Sequence, residues 1–442
     1  MSERLDADVV VIGAGAAGLA AAERLARESL RVLVLEARDR VGGRAWSLPM
    51  HGAGFPIELG AEFVHGRAER TRALLERAGS GTIEAGGEIW VLDETGALQK
   101  DDDDFDAATG LLERSRDLPA DQSVNEYLKR FLADRETAAT ATSARKFVEG
   151  FDAADPAIAS VQSIAEEVHS GVDYSRARPA AGYGLMFEFL RKTCQEGGVR
   201  LRLATIVRGV TWRRGEVIVE SASAGEPVTV RARMAILTLP VGVLHAGGEG
   251  AVAFDPPLPS TTRAALEQIE MGHVVKVVLR FRSAFWEEAE AGRYREAAAF
   301  RRLGASIPIY WTHVPQRSRT IVAWTGGPSA VALLKRSQDA VIAEALRGFV
   351  SFFGEPRMVH GQFEDAHMHD WSSDPFSCGA YSYLAVGGLA ARAALAKPID
   401  DALFFAGEAT SRSGHGGTVD GALETGERAA RHVLESLGSG SR

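Results

Sequence analysis

Cysteine is nearly missing: the 442 residues contain Cys194 and Cys378 and no others. That excludes a disulfide framework or a cysteine-built metal centre, and it fits a reducing compartment. A basic surplus is lacking too. With 50 Lys and Arg against 59 Asp and Glu, the net charge is −9, so no nucleic-acid partner is expected. The C-terminus, GERAARHVLESLGSGSR, lacks an apolar run long enough to cross a bilayer, and the start, MSERLDADVVVIGAG, lacks the basic and apolar regions of a secretion signal. A cytoplasmic location without a membrane partner is therefore expected. Internal repeats and long low-complexity linkers are also absent. What remains is an ordinary globular composition, 45% hydrophobic and 25% charged, with glycine plentiful at 47 residues. The length exceeds one usual core, so two intimately joined domains are expected.

The first motif is local and dense. Asp8 to Ile12 is a β-branched run, read as a buried strand, and it enters Gly13-Ala-Gly15-Ala-Ala-Gly18. An alanine-rich stretch, Leu19 to Glu28, reads as a helix, and Arg31 to Glu36 reads as a second strand. Strand, glycine loop, helix and strand in this order specify a dinucleotide cradle. Gly13 permits the tight turn, Gly15 lets backbone approach a pyrophosphate, and Gly18 lets helix and strand pack closely. Glu36 ends the second strand, where a carboxylate accepts hydrogen bonds from a ribose and repels a 2′-phosphate. NADP is thereby disfavoured, while FAD and NAD both remain open.

Two further segments favour FAD. Arg38 to Arg44 (RDRVGGR) is a second glycine turn, and Arg44 could pair with a pyrophosphate through two charge-assisted bonds. Near the other end, Leu403 to Glu408 (LFFAGE) reads as a buried strand ending in Gly407-Glu408. After the loop Ser413 to Gly417, Thr418 opens a helix through Leu434 whose positive end would face whatever fills that loop.

With these segments in order, the chain resembles the flavin-containing amine oxidase family of monoamine oxidases, polyamine oxidases and flavin-type histone demethylases. The matching stretches are 5–66, roughly 180–285 and 367–435. They carry GAGAAGL, VGGR, ELGAEFVHG (58–66), ILTLPVGVL (236–244), FDPPLP (254–259), MGHVVKVVLRF (271–281), CGAYSY (378–383) and DGALETGERAA. The resemblance implies an α/β fold: a Rossmann-like FAD-binding domain of glutathione-reductase type, interleaved with an α+β substrate domain. It implies cofactor contacts from Gly13, Gly15, Ala16 and Gly18, then from Glu36, Ala37, Arg38, Gly43 and Arg44. Gly60, Ala61 and Glu62 would follow, with Val207 at the adenine and Trp371 packed on the isoalloxazine. Gly407, Glu408, Thr418 and Val419 would close the site.

Lys276 is the most informative residue by this resemblance, because the family places a lysine here, linked through a water to flavin N5. Its strand, Val274 to Phe281, is apolar and β-branched, so a lysine facing inward needs a partner; an outward-facing lysine is the other reading of the pattern. Tyr381 matches one wall of an aromatic cage for the substrate amine. His415 stands near the opposite wall, where relatives carry an aromatic, and a loop histidine without substrate contact is the alternative. His65 occupies a position that polyamine oxidases fill with histidine and could hold a substrate nitrogen. Ala380 stands where monoamine oxidases have the cysteine joined to flavin, so non-covalent FAD is expected. A strand reading would aim Cys378 the same way as Ala380. Tyr310, Trp311 and His313 are further pocket candidates. The run Asp101 to Asp104 reads as a solvated loop rather than an attractant for amines. No metal is expected.

The FAD domain would assemble from 1–80, 195–265 and 390–442, and the substrate domain from 81–194 and 266–389. The latter would hold helices over Glu113 to Gly150 and Val161 to Gly171, with an antiparallel sheet over 272–283, 306–314 and 319–326. The activity implied is oxidation of a polyamine or of a primary or secondary amine to an imine, by hydride transfer to flavin N5. O2 would be the acceptor, giving H2O2, and hydrolysis would give a carbonyl product. The partners are then a small-molecule amine and O2, and a homodimer is compatible with the resemblance. An L-amino-acid oxidase ranks second, since it needs a cation for the carboxylate and no arginine follows the ELG segment until Arg67. A flavin-dependent desaturase and a non-catalytic binding protein on the same scaffold rank lower.

Overall fold

The structure, a computed structural model, describes residues 5–50, 55–93, 95–101, 105–172, 176–354 and 356–439. Its first sheet is parallel, with strand order Arg200–Arg202, Val32–Leu35, Val9–Ile12, Met234–Leu237 and Leu403–Phe405. The short apolar runs are strands because both of their faces are covered. Val9, Val11, Val32 and Val34 pack against the helix Ala16–Ala26, and Ala429, Ala430 and Val433 of the C-terminal helix Val419–Ser439 join the same core. The alternate residues Val10, Ile12, Leu33 and Leu35 pack on the other face. There they meet Val207, Val217 and Val230 of a four-stranded sheet, Thr205–Arg213, Glu216–Ser223, Glu226–Ala232 and Ala253–Asp255.

The glycine loop behaves as its spacing requires. Gly13 has φ +107°, and a Cβ on Gly18 would stand 1.9 Å from the Gly13 carbonyl oxygen. Neither backbone can yield without moving the helix off the sheet. Gly18→Ala is therefore expected to cost about 3 kcal/mol of stability, measured as a lowered urea midpoint of the apoprotein. An unchanged midpoint would contradict this packing.

A second sheet of seven strands lies beyond the first. Its order is Phe363–Met368, Val274–Phe281, Thr320–Gly326, Ile309–Trp311, Ala297–Arg301, Glu88–Leu92 and Leu98–Asp101. The expected strands over 272–283, 306–314 and 319–326 are all present, though the middle one is shorter. The pairing is antiparallel except between Ala297–Arg301 and Glu88–Leu92. Val275, Val277, Leu279 and Phe281 enter a core with Phe349 of the helix Gln338–Val350. The alternate residues Val274, Lys276 and Val278 face the other way, and Val274 and Lys276 line a cavity.

The stretch Glu113 to Gly150 is not continuous helix. Arg114–Asp117 is a 3-10 turn, followed by helices Val124–Leu132 and Ala138–Gly150. Pro119 follows the turn and disfavours helical conformation at Leu118, which is extended at ψ 139°. Ser123 then restarts the chain by accepting the Glu126 N–H. The third helix, Val161–His169, is as expected but for its last turn. Of the acidic run, Asp101 ends a strand, while Asp102 to Asp104 lie outside the described residues.

Candidate active site

A cavity of about 560 Å³ runs from the glycine loop to the face of the second sheet. Gly13, Gly15, Ala16, Glu36, Ala37, Arg38, Gly43 and Arg44 line one end. Gly60, Ala61, Glu62, Val207, Trp371, Gly407, Glu408, Thr418 and Val419 also line it, as do Lys276, Tyr381 and His65. Residues far apart in sequence are thus gathered on one surface. Gly18 is behind the loop in a packing role, against the expectation of a direct contact.

The cradle end fits an adenine dinucleotide. A Cβ on Gly15 would meet nothing within 4 Å, so the space beside it is open to a phosphate, and the helix Ala16–Ala26 begins there. The Glu36 carboxylate is buried and braced by the Ala14 and Arg38 N–H groups at 2.7 and 2.9 Å. Burial raises its pKa above the usual carboxylate value. A second helix end faces the cavity where Val419–Ser439 starts, with the Thr418 hydroxyl accepting the Gly421 N–H at 3.0 Å.

Arg44 lines the cavity, and its guanidinium is also tied to the protein. Its Nη1 donates to Glu408 Oε1 and to the Ala380 carbonyl, each at 2.8 Å. Glu408 also accepts from the Ser382 hydroxyl at 2.6 Å and the Gly417 N–H at 3.1 Å. Burial would raise the Glu408 pKa, but the Arg44 and Arg392 guanidiniums hold it below the usual range. The network joins the two ends of the chain.

Lys276 faces inward, 3% exposed, and its ammonium has partners. Nζ donates to Glu62 Oε2 at 2.8 Å and to the Gly60 carbonyl at 3.0 Å. The other Glu62 oxygen accepts from Arg178 Nε at 2.8 Å and from Trp311 Nε1 at 3.0 Å. Burial opposes charge on Glu62, yet Lys276, Arg178 and His313 drive its pKa far below the usual range. His313 is itself pushed down to about 4 by burial. It lies behind this cluster, and Tyr310 donates to the Ala345 carbonyl within the hydrophobic core, so neither reaches the cavity wall. Trp311 does.

Glu58, near the same cluster, is pushed up to about 7 by burial, from 4.5 in an exposed chain. Folded protein therefore keeps a proton that unfolded chain releases between those values, so this group's contribution to stability falls as pH rises through that window. Glu58→Gln has no such proton. Its thermal midpoint is expected to decline less than the parent's between pH 4.5 and about 7, and parallel curves would reject the assignment.

Tyr381 lies on the wall with its hydroxyl donating to the Phe151 carbonyl at 2.6 Å. Gly417, not His415, faces its ring: a Cβ there would be 3.2 Å from Tyr381 Cδ2. His415 does not line the cavity, and its buried Nδ1 has no hydrogen-bond partner among the described residues. The loop turns at Gly414 and Gly417, both at positive φ, which aims the histidine away from the wall. His65 does line the cavity, with burial and then Arg176 lowering its pKa to about 4, so it is neutral across the physiological range. Trp371 lines the cavity while its indole N–H donates to the Leu59 carbonyl at 2.9 Å. Cys378 does not follow the strand alternation assumed for it. It has φ +52° and Gly379 has φ +139°, so the segment turns there and regular pairing starts only at Ser382. Ala380 reaches the wall and Cys378 does not.

Several wall residues carried no sequence signal. Arg178 sits in ARARP, whose cavity role needs its pairing with distant strands. Asp152 and Glu167 also line the cavity, and burial raises the Glu167 pKa. Only the helix period of Val161–His169 could have hinted at an inward Glu167.

Three comparisons show what the chain is similar to. A family model described as "Flavin containing amine oxidoreductase" matches residues 16–88 and 91–434. Polyamine oxidase 1 of Oryza sativa subsp. japonica is 29% identical, with 98% of each chain covered. Lysine-specific histone demethylase 1 homolog 2 of the same plant is 28% identical over 98% of this chain, which spans 58% of that relative. The chain spans 53% of human lysine-specific histone demethylase 2, at 26% identity. Among solved structures, cyclohexylamine oxidase from Brevibacterium oxydans IH-35A superposes with TM-score 0.81 at 22% identity, covering 98% of this chain and all of that one. Wild-type putrescine oxidase bound to putrescine gives 0.77 at 23% identity, covering 97% and 99%. These establish a shared fold.

Proposed function

Because the chain belongs to the flavin-containing amine oxidoreductase family, we propose that it oxidises a small-molecule amine to an imine with O2 as acceptor. The cofactor is FAD, and the residues at the cradle end fit it. Held by the Gly13 to Ala16 loop, Glu36 and the start of the Val419–Ser439 helix, FAD would supply two-electron redox chemistry, by which the hydride from the carbon beside nitrogen and the proton from nitrogen would end on O2 as H2O2. The observation that carries the reading is the single cavity that joins the Gly15 and Glu36 cradle to the wall of Lys276, Tyr381 and His65.

The chain's own residues orient the substrate and exclude water. Tyr381 presents a fixed ring face, since its hydroxyl is tied to Phe151. Neutral His65 can accept a hydrogen bond from a substrate nitrogen without repelling it. Lys276 supplies a buried ammonium at the wall, a fixed donor where negative charge or a proton must be managed. Water adds to the released imine to give a carbonyl compound and ammonia or a smaller amine. The two sheets are proposed to mark the FAD and substrate domains, with the site between them.

A panel assay for peroxide with polyamines, monoamines and amino acids tests the activity. Turnover of none, by a protein replete with FAD, would reject it. Amino acids merit inclusion because Arg176 pairs opposite His65 in the ladder and lines the cavity, a cation the linear sequence near ELG does not offer. Non-covalent attachment is supported by Ala380 on the wall and Cys378 off it. Acid or heat denaturation is expected to release all yellow colour into the filtrate; colour retained on the polypeptide would reverse this.

A further inference from the structure

We propose that Glu62 is a positioning residue, the counter-ion that fixes the Lys276 ammonium at the cavity wall. This deepens the reading of Lys276 given above and rests on it. The resemblance assigned Glu62 to the cofactor; the geometry points to the lysine instead. Both of its oxygens are used: Oε2 by Lys276 at 2.8 Å, and Oε1 by Arg178 and Trp311 at 2.8 and 3.0 Å. Lys276, Arg178 and Glu62 are all buried, at 3%, 7% and 6% exposure.

Two buried cations beside each other would repel and lose hydration, and a lone carboxylate between them removes most of that cost. Other charged or titratable groups around Lys276 do not replace it. Glu58 is turned to the Ser47 hydroxyl and the Tyr183 N–H, at 2.7 Å each, and burial lifts it to about 7. His313 approaches Glu62 at 3.9 Å and is pushed down to about 4, so it adds no positive charge at neutral pH. The strand neighbour of Lys276 across the ladder is Trp324, which is uncharged. With Glu58 protonated, the cluster carries one excess positive charge at the wall, and Glu62 determines where it sits. The Gly60 carbonyl adds a second anchor two residues away on the same loop.

The test is a cycle of Glu62→Gln, Lys276→Met and the double variant, with Glu62→Asp as the conservative partner. Each half-reaction is followed by stopped flow across the neutral and alkaline range, and the apoproteins are melted. Glu62→Gln is expected to slow the same half-reaction as Lys276→Met by about tenfold to a hundredfold, and to shift the pH profile from that of the parent. The double variant is expected to be no slower than Lys276→Met alone. Glu62→Asp should recover part of the rate. In the apoprotein, Glu62→Gln should lower the melting midpoint, and Lys276→Met should restore part of it by removing one stranded cation.

Parental rates and pH profile in Glu62→Gln, alongside a slow Lys276→Met, would overturn the inference and leave the lysine reading intact. A Glu62→Gln effect that adds in full to that of Lys276→Met would also overturn it. Parental rates in Lys276→Met would instead remove the lysine reading, and the inference with it. Where Glu62→Gln fails to fold, the double variant, which removes both charges, carries the comparison: a rate well below that of Lys276→Met alone would overturn the proposal.

Discussion

Lys276→Met is expected to slow one or both half-reactions by about a hundredfold or more, the usual scale for losing a positioned donor or proton carrier. Methionine keeps the length and fills the volume of the lysine stem, so the cavity wall should persist. What disappears is an ammonium held by Glu62 at 2.8 Å and the Gly60 carbonyl at 3.0 Å, on a side chain only 3% exposed. The loss is the larger for being local: buried charge acts through low dielectric, where solvent cannot substitute. Single-turnover reduction by an amine that the panel identifies, and reoxidation by O2, separate the two steps. Parental rates in both would mean that Lys276 serves only to neutralise Glu62.

Arg44→Ala should do the greatest structural damage at the site. It strips the buried Glu408 carboxylate of its nearest cation and frees the Ala380 carbonyl. Leaving a buried charge unpaired costs about 3 to 5 kcal/mol, and Arg392 offsets part of that because it also lowers the Glu408 pKa. The sign with pH follows from that lowered value: Glu408 contributes stability above its unfolded pKa, and the contribution is lost as pH falls through the folded one. Removing Arg44 shrinks this contribution, so the variant should lose most stability at neutral pH and least in acid. It should also purify with little FAD, because the turn carrying Gly43 is tied to Glu408 and to Ala380 through this side chain. A melting curve matching the parent at neutral pH would contradict the ion pair, and full FAD occupancy would contradict its role in shaping the cofactor end.

The elements read best from the sequence are those whose determinants are contiguous. Val9–Ile12, the glycine loop and Ala16–Ala26 follow within a few residues of one another, and each local preference agrees with the next. The strand Val274–Phe281 was also legible, but not the inward direction of Lys276. Alternation allows either face, and only the covering of both faces of that strand decides. His415 misled for a related reason. Its place in an ordered list of motifs suggested a wall position, whereas positive φ at Gly414 and Gly417 presents Gly417 to Tyr381 instead. At Cys378 the error was to apply strand alternation across a turn.

By itself the sequence determined the dinucleotide cradle, the family and the identity of the chemical groups, because glycine spacing and β-branched runs act over short distances. Tertiary structure alone decided which of those groups meet. Glu62 finds Arg178 116 residues away and Trp311 249 residues away, and no periodicity encodes such pairings. They arise because a buried cation must acquire a counter-charge wherever the packed sheets bring one within reach.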